Sequence, residues 1–143
     1  MKIFGIICEY NPFHNGHARQ LEFCKSKGAD LIFCAMSGDF TQRGEPAVLE
    51  KRIRAKHAVQ SGADLVAELP LPYAAAGAKD FAEGGVKLLE KMGCTHICFG
   101  SECGNISLLE KAAELIDSDS FNKSLKLHVK AGKSYPVSAE LAG

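Results

Sequence analysis

Residues 2–28 read KIFGIICEYNPFHNGHARQLEFCKSKG. Three textures follow one another in this stretch. Residues 2–8 form a continuous apolar run, which suits a strand buried on both faces, as in a parallel sheet. Residues 9–17 are polar and hold two histidines, two asparagines, a proline and a glycine. Residues 16–28 carry a helical pattern, with Gly28 as its stop signal. A strand that empties into a polar turn and then a helix is the opening unit of an α/β fold.

The alternation continues downstream. Apolar runs at 29–36 (ADLIFCAM), 63–69 (ADLVAEL) and 95–100 (THICFG) predict three further strands. Helical patterns predict helices over 46–62, 80–93, 107–117 and 120–132. Pro46 is expected in the first turn of the helix over 46–62, and Gly62 just past its end. Gly84 and Gly85 count against the helix over 80–93. The expectation is a doubly wound parallel sheet, with one domain over residues 1–143. Ligands of such sheets bind at the carboxyl ends of the strands, beside the switch in strand order. The loops after each strand are therefore where function is sought.

Composition narrows the classes. The chain is 46% hydrophobic and 24% charged, an ordinary globular balance. Lys+Arg and Asp+Glu are 17 each, for a formal net charge of zero, so the chain carries no overall basic footprint for nucleic acid. No apolar run approaches the roughly 20 residues that span a bilayer, and residues 1–8 lack the layout of a secretory signal. The chain reads as cytoplasmic and its six cysteines as reduced thiols. Cys94, Cys98 and Cys103 lack the second pair that zinc spacing requires, so no metal site is expected. GKS at 132–134 lacks the upstream glycine of a P-loop, since Leu127 stands there.

The first loop carries the chemistry. Pro12 fixes one backbone angle, Asn15 is a good N-cap type, and Gly16 allows close approach to the backbone. His14 and His17 are three apart and share a side of an incipient helical turn. A helix N-terminus attracts phosphate, and imidazoles beside it can donate to phosphate oxygens. In the second loop, SGDFTQRGEPA at 37–47, Arg43 is the candidate phosphate or RNA contact. Asp39 would set a negative charge near that phosphate. Glu68, at the end of the third strand, is either a site residue or held by backbone donors. Tyr73 is a candidate for an acyl pocket.

The segment HNGH, after an N-terminal strand and opening a helix, resembles the HxGH motif of the HIGH-type nucleotidyltransferase superfamily. EYNPFHNGH, then MSGDFTQRGEPAVLEKRIRAKHAVQSGADLVAELP, then ICFGSECG and GKSYP, together resemble the tRNA(Met) cytidine acetate ligase family over nearly the whole chain. The resemblance implies a Rossmann-like fold and ATP as substrate, with Mg²⁺ as its usual companion. It implies acetate and elongator tRNA(Met) as partners, and formation of N4-acetylcytidine at the wobble position. It implies His14 and His17 as catalytic residues. It implies an ATP site built from Ile7, Cys8, Glu9, Tyr10, Asn11, Pro12, Phe13, His14, Asn15, Gly16, His17, Ala18, Arg19 and Gln20, with Gly100 and Ser101. Family members run well beyond this length, so the chain corresponds to their N-terminal part. The superfamily's second signature, a KMSKS-like or ISSTxIR-like loop, is not visible. Two other readings share the HNGH site: a small-molecule nucleotidyltransferase and a non-catalytic nucleotide-binding fragment.

Overall fold

A computed structural model describes residues 1–142. These fall into two compact units, residues 1–99 and residues from 100 onward. In the first unit β1 (Ile3–Cys8), β2 (Leu31–Ser37), β3 (Leu65–Leu69) and β4 (His96–Ile97) form one sheet in the order β3-β2-β1-β4. Every pairing is parallel. The chain steps outward from β1 through β2 to β3, then returns to the other side of β1. The strand order therefore reverses at the carboxyl end of β1, where a doubly wound sheet opens its crevice.

Period-2 alternation assigns the two faces of β1. Phe4 and Ile6 join Ile32, Cys34 and Met36 of β2 in the main core. That core is closed by Leu21 and Cys24 of α1 (Asn15–Ser26) and by Ala58 of α2 (Lys51–Gln60). Each fully buried Leu or Ile here contributes about 1.5–3 kcal/mol. The opposite face meets α4 (Ala78–Lys91), and this helix comes close because glycines allow it. A Cβ on Gly5 would stand 2.8 Å from Leu89 Cδ1, and one on Gly85 would stand 2.6 Å from Ile7 Cδ1. The two glycines that argued against a helix are the packing surface of that helix. Gly28 and Gly62 do end α1 and α2, both with positive φ (84° and 112°) that L-residues avoid.

Several boundaries differ from the sequence expectation. The second helix starts at Lys51, not at Pro46. Residues 39–47 instead close a loop, with Phe40 and Pro46 bridged and the Ala47 N–H donating to the Asp39 carbonyl at 2.9 Å. Tertiary hydrogen bonds outweigh the local helical pattern there. The last strand is only His96–Ile97, although the Cys98 N–H still donates to the Gly5 carbonyl at 2.9 Å. A short helix α3 (Leu71–Ala74) follows Pro70 and was not expected. Tyr73 of α3 lies over Gly84 of α4, where any Cβ would run into its ring, so it serves packing.

The second unit holds α5 (Ile106–Asp117), α6 (Asp119–Lys130) and an unexpected α7 (Tyr135–Ala142). Asn105 and Ser118 cap α5 and α6 through their side-chain oxygens. Phe121 is its buried anchor.

Replacing Gly85 by Ala tests the close packing of α4. Helix propensity alone would favour Ala by about 1 kcal/mol. Overpacking against Ile7 costs about 1–3 kcal/mol. Urea denaturation of the variant is expected to show a net loss of stability. A gain would mean that α4 does not lie on β1 this closely.

Candidate functional site

The loop after β1 sits at the reversal in strand order and ends on the N-cap of α1. The N-cap is His14, not Asn15 as expected, with extended backbone (φ −144°, ψ 175°). Its Nδ1 accepts the Gly16 N–H at 3.0 Å. In return the His17 Nδ1 accepts the His14 N–H at 3.3 Å. An imidazole pair thus performs the reciprocal capping that Ser/Thr and Glu/Gln usually perform. The rings stack, with centroids 3.7 Å apart and planes 23° from parallel.

This capping decides the chemistry. In a neutral imidazole one nitrogen accepts and the other carries the proton. Each Nδ1 is already an acceptor, so each proton belongs on Nε2. The loop therefore presents two N–H donors side by side at the positive end of a helix dipole. The Gly16 amide is taken by His14, so it is not a free donor for phosphate. Gly16 is required for a second reason: a Cβ there would lie 2.9 Å from His14 Cε1. His17 is held below the ordinary histidine pKa, chiefly by burial and then by the neighbouring His14. That favours the neutral ring.

Beneath the pair lies an aromatic floor. Tyr10 is 1% exposed and has a positive φ of 49°. Its ring meets His17 at 4.8 Å and Phe13 at 4.9 Å between centroids, and its hydroxyl pairs with Cys34 Sγ at 3.5 Å. Asn11 precedes Pro12 through a cis peptide bond. Two side chains of this loop reach across to the loop after β2. The Gln42 N–H donates to Glu9 Oε1 at 2.6 Å, and the Val48 N–H to Asn11 Oδ1 at 2.7 Å.

The expected ATP-site residues separate by orientation. Ile7 packs at Gly85, Cys8 lies against the main core, and Tyr10 is buried. Burial and the adjacent Cys34 push the Cys8 thiol pKa well up, so it stays protonated. Pro12, His14, Asn15, Gly16 and Arg19 are exposed, with Asn11, Phe13, His17, Ala18 and Gln20 half-buried. Gln20 donates to the Cys98 carbonyl at 3.3 Å and ties α1 to the chain leaving β4. Arg43 is exposed at a tight turn closed by the Gly44 N–H on the Thr41 carbonyl at 2.8 Å. Gly100 and Ser101 open the second unit, both exposed, with Ser101 Oγ 3.2 Å from Cys103 Sγ.

The sequence reading missed one charged group altogether. Arg54 of α2 is 0% exposed. Its Nε donates to the Leu49 carbonyl at 2.9 Å. Nη1 donates to the Glu9 carbonyl and, at 3.2 Å, to the Ser37 carbonyl, while Nη2 donates to the Gly38 carbonyl. Helical spacing held a hint, because Arg54 lies four residues before buried Ala58 on one helix face. Asp39 and Glu68 belong to a separate cluster. Lys51 Nζ bonds both Glu68 oxygens, at 3.0 and 2.9 Å, and lies 3.4 Å from Asp39 Oδ2. The Asp39 charge is thus met by a cation. Among the described residues no group of three or more His, Cys, Asp or Glu side chains is placed to hold a metal.

Comparison with known proteins agrees with this fold. The HIGH Nucleotidyl Transferase family profile matches residues 1–142. The tRNA(Met) cytidine acetate ligase of Caldicellulosiruptor saccharolyticus is 48% identical over 145 residues, which covers 99% of this chain and 36% of that protein. The ligase of the same name from Bacillus subtilis is 46% identical, covering 99% and 35%. Thermotoga maritima TmcAL bound with alpha-thio ATP superposes with a TM-score of 0.92 at 40% identity, covering 99% of this chain and 35% of that one. This chain spans about a third of the length of the curated relatives it matches.

The lowered His17 pKa has a definite sign. Well above the ordinary value of 6.5 the ring is neutral in both folded and unfolded chains. As pH falls below 6.5 the unfolded chain takes up the proton first. The His17 contribution is therefore present above 6.5 and is lost as pH falls through the lower folded-state value. Urea unfolding across this range is expected to show a downward slope that His17→Gln reduces. An identical slope in both proteins would place His17 in water.

Proposed function

This chain belongs to the HIGH nucleotidyl transferase family, and we propose that it is the ATP-binding, acetate-activating part of a tRNA(Met) cytidine acetate ligase. The observation that carries the reading is the stacked His14–His17 pair, capping α1 at the point where the strand order reverses. The names of its relatives, and a solved neighbour that holds an ATP analogue, support the same assignment.

The chemistry follows from what the loop offers. An acetate oxygen attacks the α-phosphorus of ATP, and the bond to the β,γ-diphosphate breaks, giving acetyl-adenylate and pyrophosphate. The cytidine N4 amine then takes the acetyl group and AMP leaves. In-line displacement at phosphorus needs positioning and charge stabilisation more than a dedicated base. The two Nε2–H groups would donate to phosphate oxygens as negative charge moves toward the leaving group. The dipole of α1 adds a fixed positive end. Mg²⁺, where it accompanies ATP, would be held largely by the triphosphate oxygens. Arg43, exposed at its turn, suits an RNA or triphosphate phosphate. A tRNA substrate agrees with a cytoplasmic location, and among the described residues no helix is long and apolar enough to cross a membrane.

Calorimetric titration with ATP tests the reading. Saturable binding is expected, with affinity reduced about tenfold or more in a His14→Ala/His17→Ala variant, as loss of two phosphate donors implies. Equal binding by both proteins would remove the histidines from the site. In a chain of full family length, His17→Ala should also abolish acetate-dependent pyrophosphate release. A stable dinucleotide product in place of AMP would favour a small-molecule nucleotidyltransferase.

A further inference from the structure

The carbonyl of Glu9 stands at the junction between β1 and the histidine loop. The next residue, Tyr10, is buried under the His17 ring, 4.8 Å between centroids. Any shift of the Glu9 peptide therefore reaches His17 through one side chain. The group that grips this carbonyl is Arg54, and the same guanidinium grips Ser37 and Gly38 at the end of β2. Among the described residues no carboxylate is bonded to it; its acceptors there are four backbone carbonyls. A salt bridge would satisfy the charge as well, but would not tie three chain segments at one point. The planar fork of five donors is what allows the simultaneous bonds, and a lysine ammonium lacks that geometry.

We propose that Arg54 is the positioning residue of the phosphate site: its fork on the Glu9, Ser37, Gly38 and Leu49 carbonyls locks the loop so that His14 and His17 present their Nε2–H groups together. This rests on the functional reading above. It assigns Arg54 no contact with ATP. Its effect passes through the Glu9 peptide and Tyr10 to His17.

The test compares Arg54→Lys and Arg54→Gln with the parent chain and the His14→Ala/His17→Ala variant. Two readouts are taken on folded protein: the His17 ring titration by NMR, and the calorimetric affinity for ATP. In both Arg54 variants His17 is expected to titrate closer to the ordinary histidine value, and ATP affinity to fall about tenfold or more. Because Arg54→Lys keeps the charge, its failure to rescue separates positioning from plain electrostatic attraction. A merely structural Arg54 would lower the unfolding midpoint and leave the His17 titration of the folded state unchanged. That result, or full ATP affinity in Arg54→Lys, overturns the proposal. Should neither variant fold, Tyr10→Leu removes the ring that links the Glu9 peptide to His17, and the same shift of His17 is expected; an unmoved titration there breaks the route by which Arg54 acts and overturns the proposal. ATP affinity lost in the double histidine variant but intact in the Arg54 variants sinks this proposal alone. ATP affinity intact in the double histidine variant sinks the functional reading, and Arg54 as part of a phosphate site with it.

Discussion

A guanidinium buried among backbone carbonyls holds the working end of the first unit together. Arg54 is fully enclosed, and burial drives its pKa downward against the pull of Asp39, Cys8, Glu9 and Glu68. Taking a charge out of water costs several kcal/mol. Hydrogen bonds to a charged group return about 1.5–3 kcal/mol each. Four such bonds, to carbonyls at the start of one loop and at both ends of the other, offset the cost only if the loops hold their shapes. The loop after β2 is therefore not free to become the first turns of α2. Its carbonyls at Ser37, Gly38 and Leu49 are committed to Arg54.

From that point the site builds outward in layers. The sheet sets the reversal of strand order at β1. The Arg54 clamp sets the start of the loop, and Tyr10 and Phe13 make its floor. His14 and His17 then cap the helix and each other. The Lys51–Glu68–Asp39 cluster stands apart, at the ends of β2 and β3 and the start of α2, as a partly exposed network worth little in stability by itself. Its single cation is shared between Glu68 and Asp39, so the negative charge of Asp39 near a proposed phosphate site is only partly offset. The capping pair does double duty: the bonds that hold the two rings also put their protons on the nitrogens that face away from the helix.

Much of this was legible in the residues. The continuous apolar runs located β1 and β2, because strands buried on both faces need no alternation, and β3 was found by the same pattern although it is an edge strand with Leu65 and Glu68 exposed. Gly28 and Gly62 marked the helix ends because the chain turns left-handed there. His14 and His17 stood out through their spacing and their place after β1. What escaped was what depends on distant contacts. Residues 46–50 carry a helical pattern, yet their backbone is drawn into a loop by Arg54 and Asn11. Arg54 itself sits in a run of basic residues, KRIRAK, where nothing local separates the buried charge from its exposed neighbours. Gly84 and Gly85 looked like helix breakers because their reason, close contact with Tyr73 and Ile7, lies in other elements. His14 took the N-cap from Asn15 because its ring nitrogen reaches the Gly16 amide, a bond that residue preferences for caps do not anticipate.

In the proposed site two neutral imidazoles, each with its proton on Nε2, meet the phosphates of ATP. Long-range ¹H–¹⁵N NMR of the histidine rings at pH 8, before and after ATP is added, tests it most directly. Unprotonated Nδ1 and protonated Nε2 are expected in both His14 and His17, with a shift of both Nε2 resonances as ATP saturates. Protonated Nδ1 in either ring, or Nε2 resonances that ignore ATP at saturation, would contradict it.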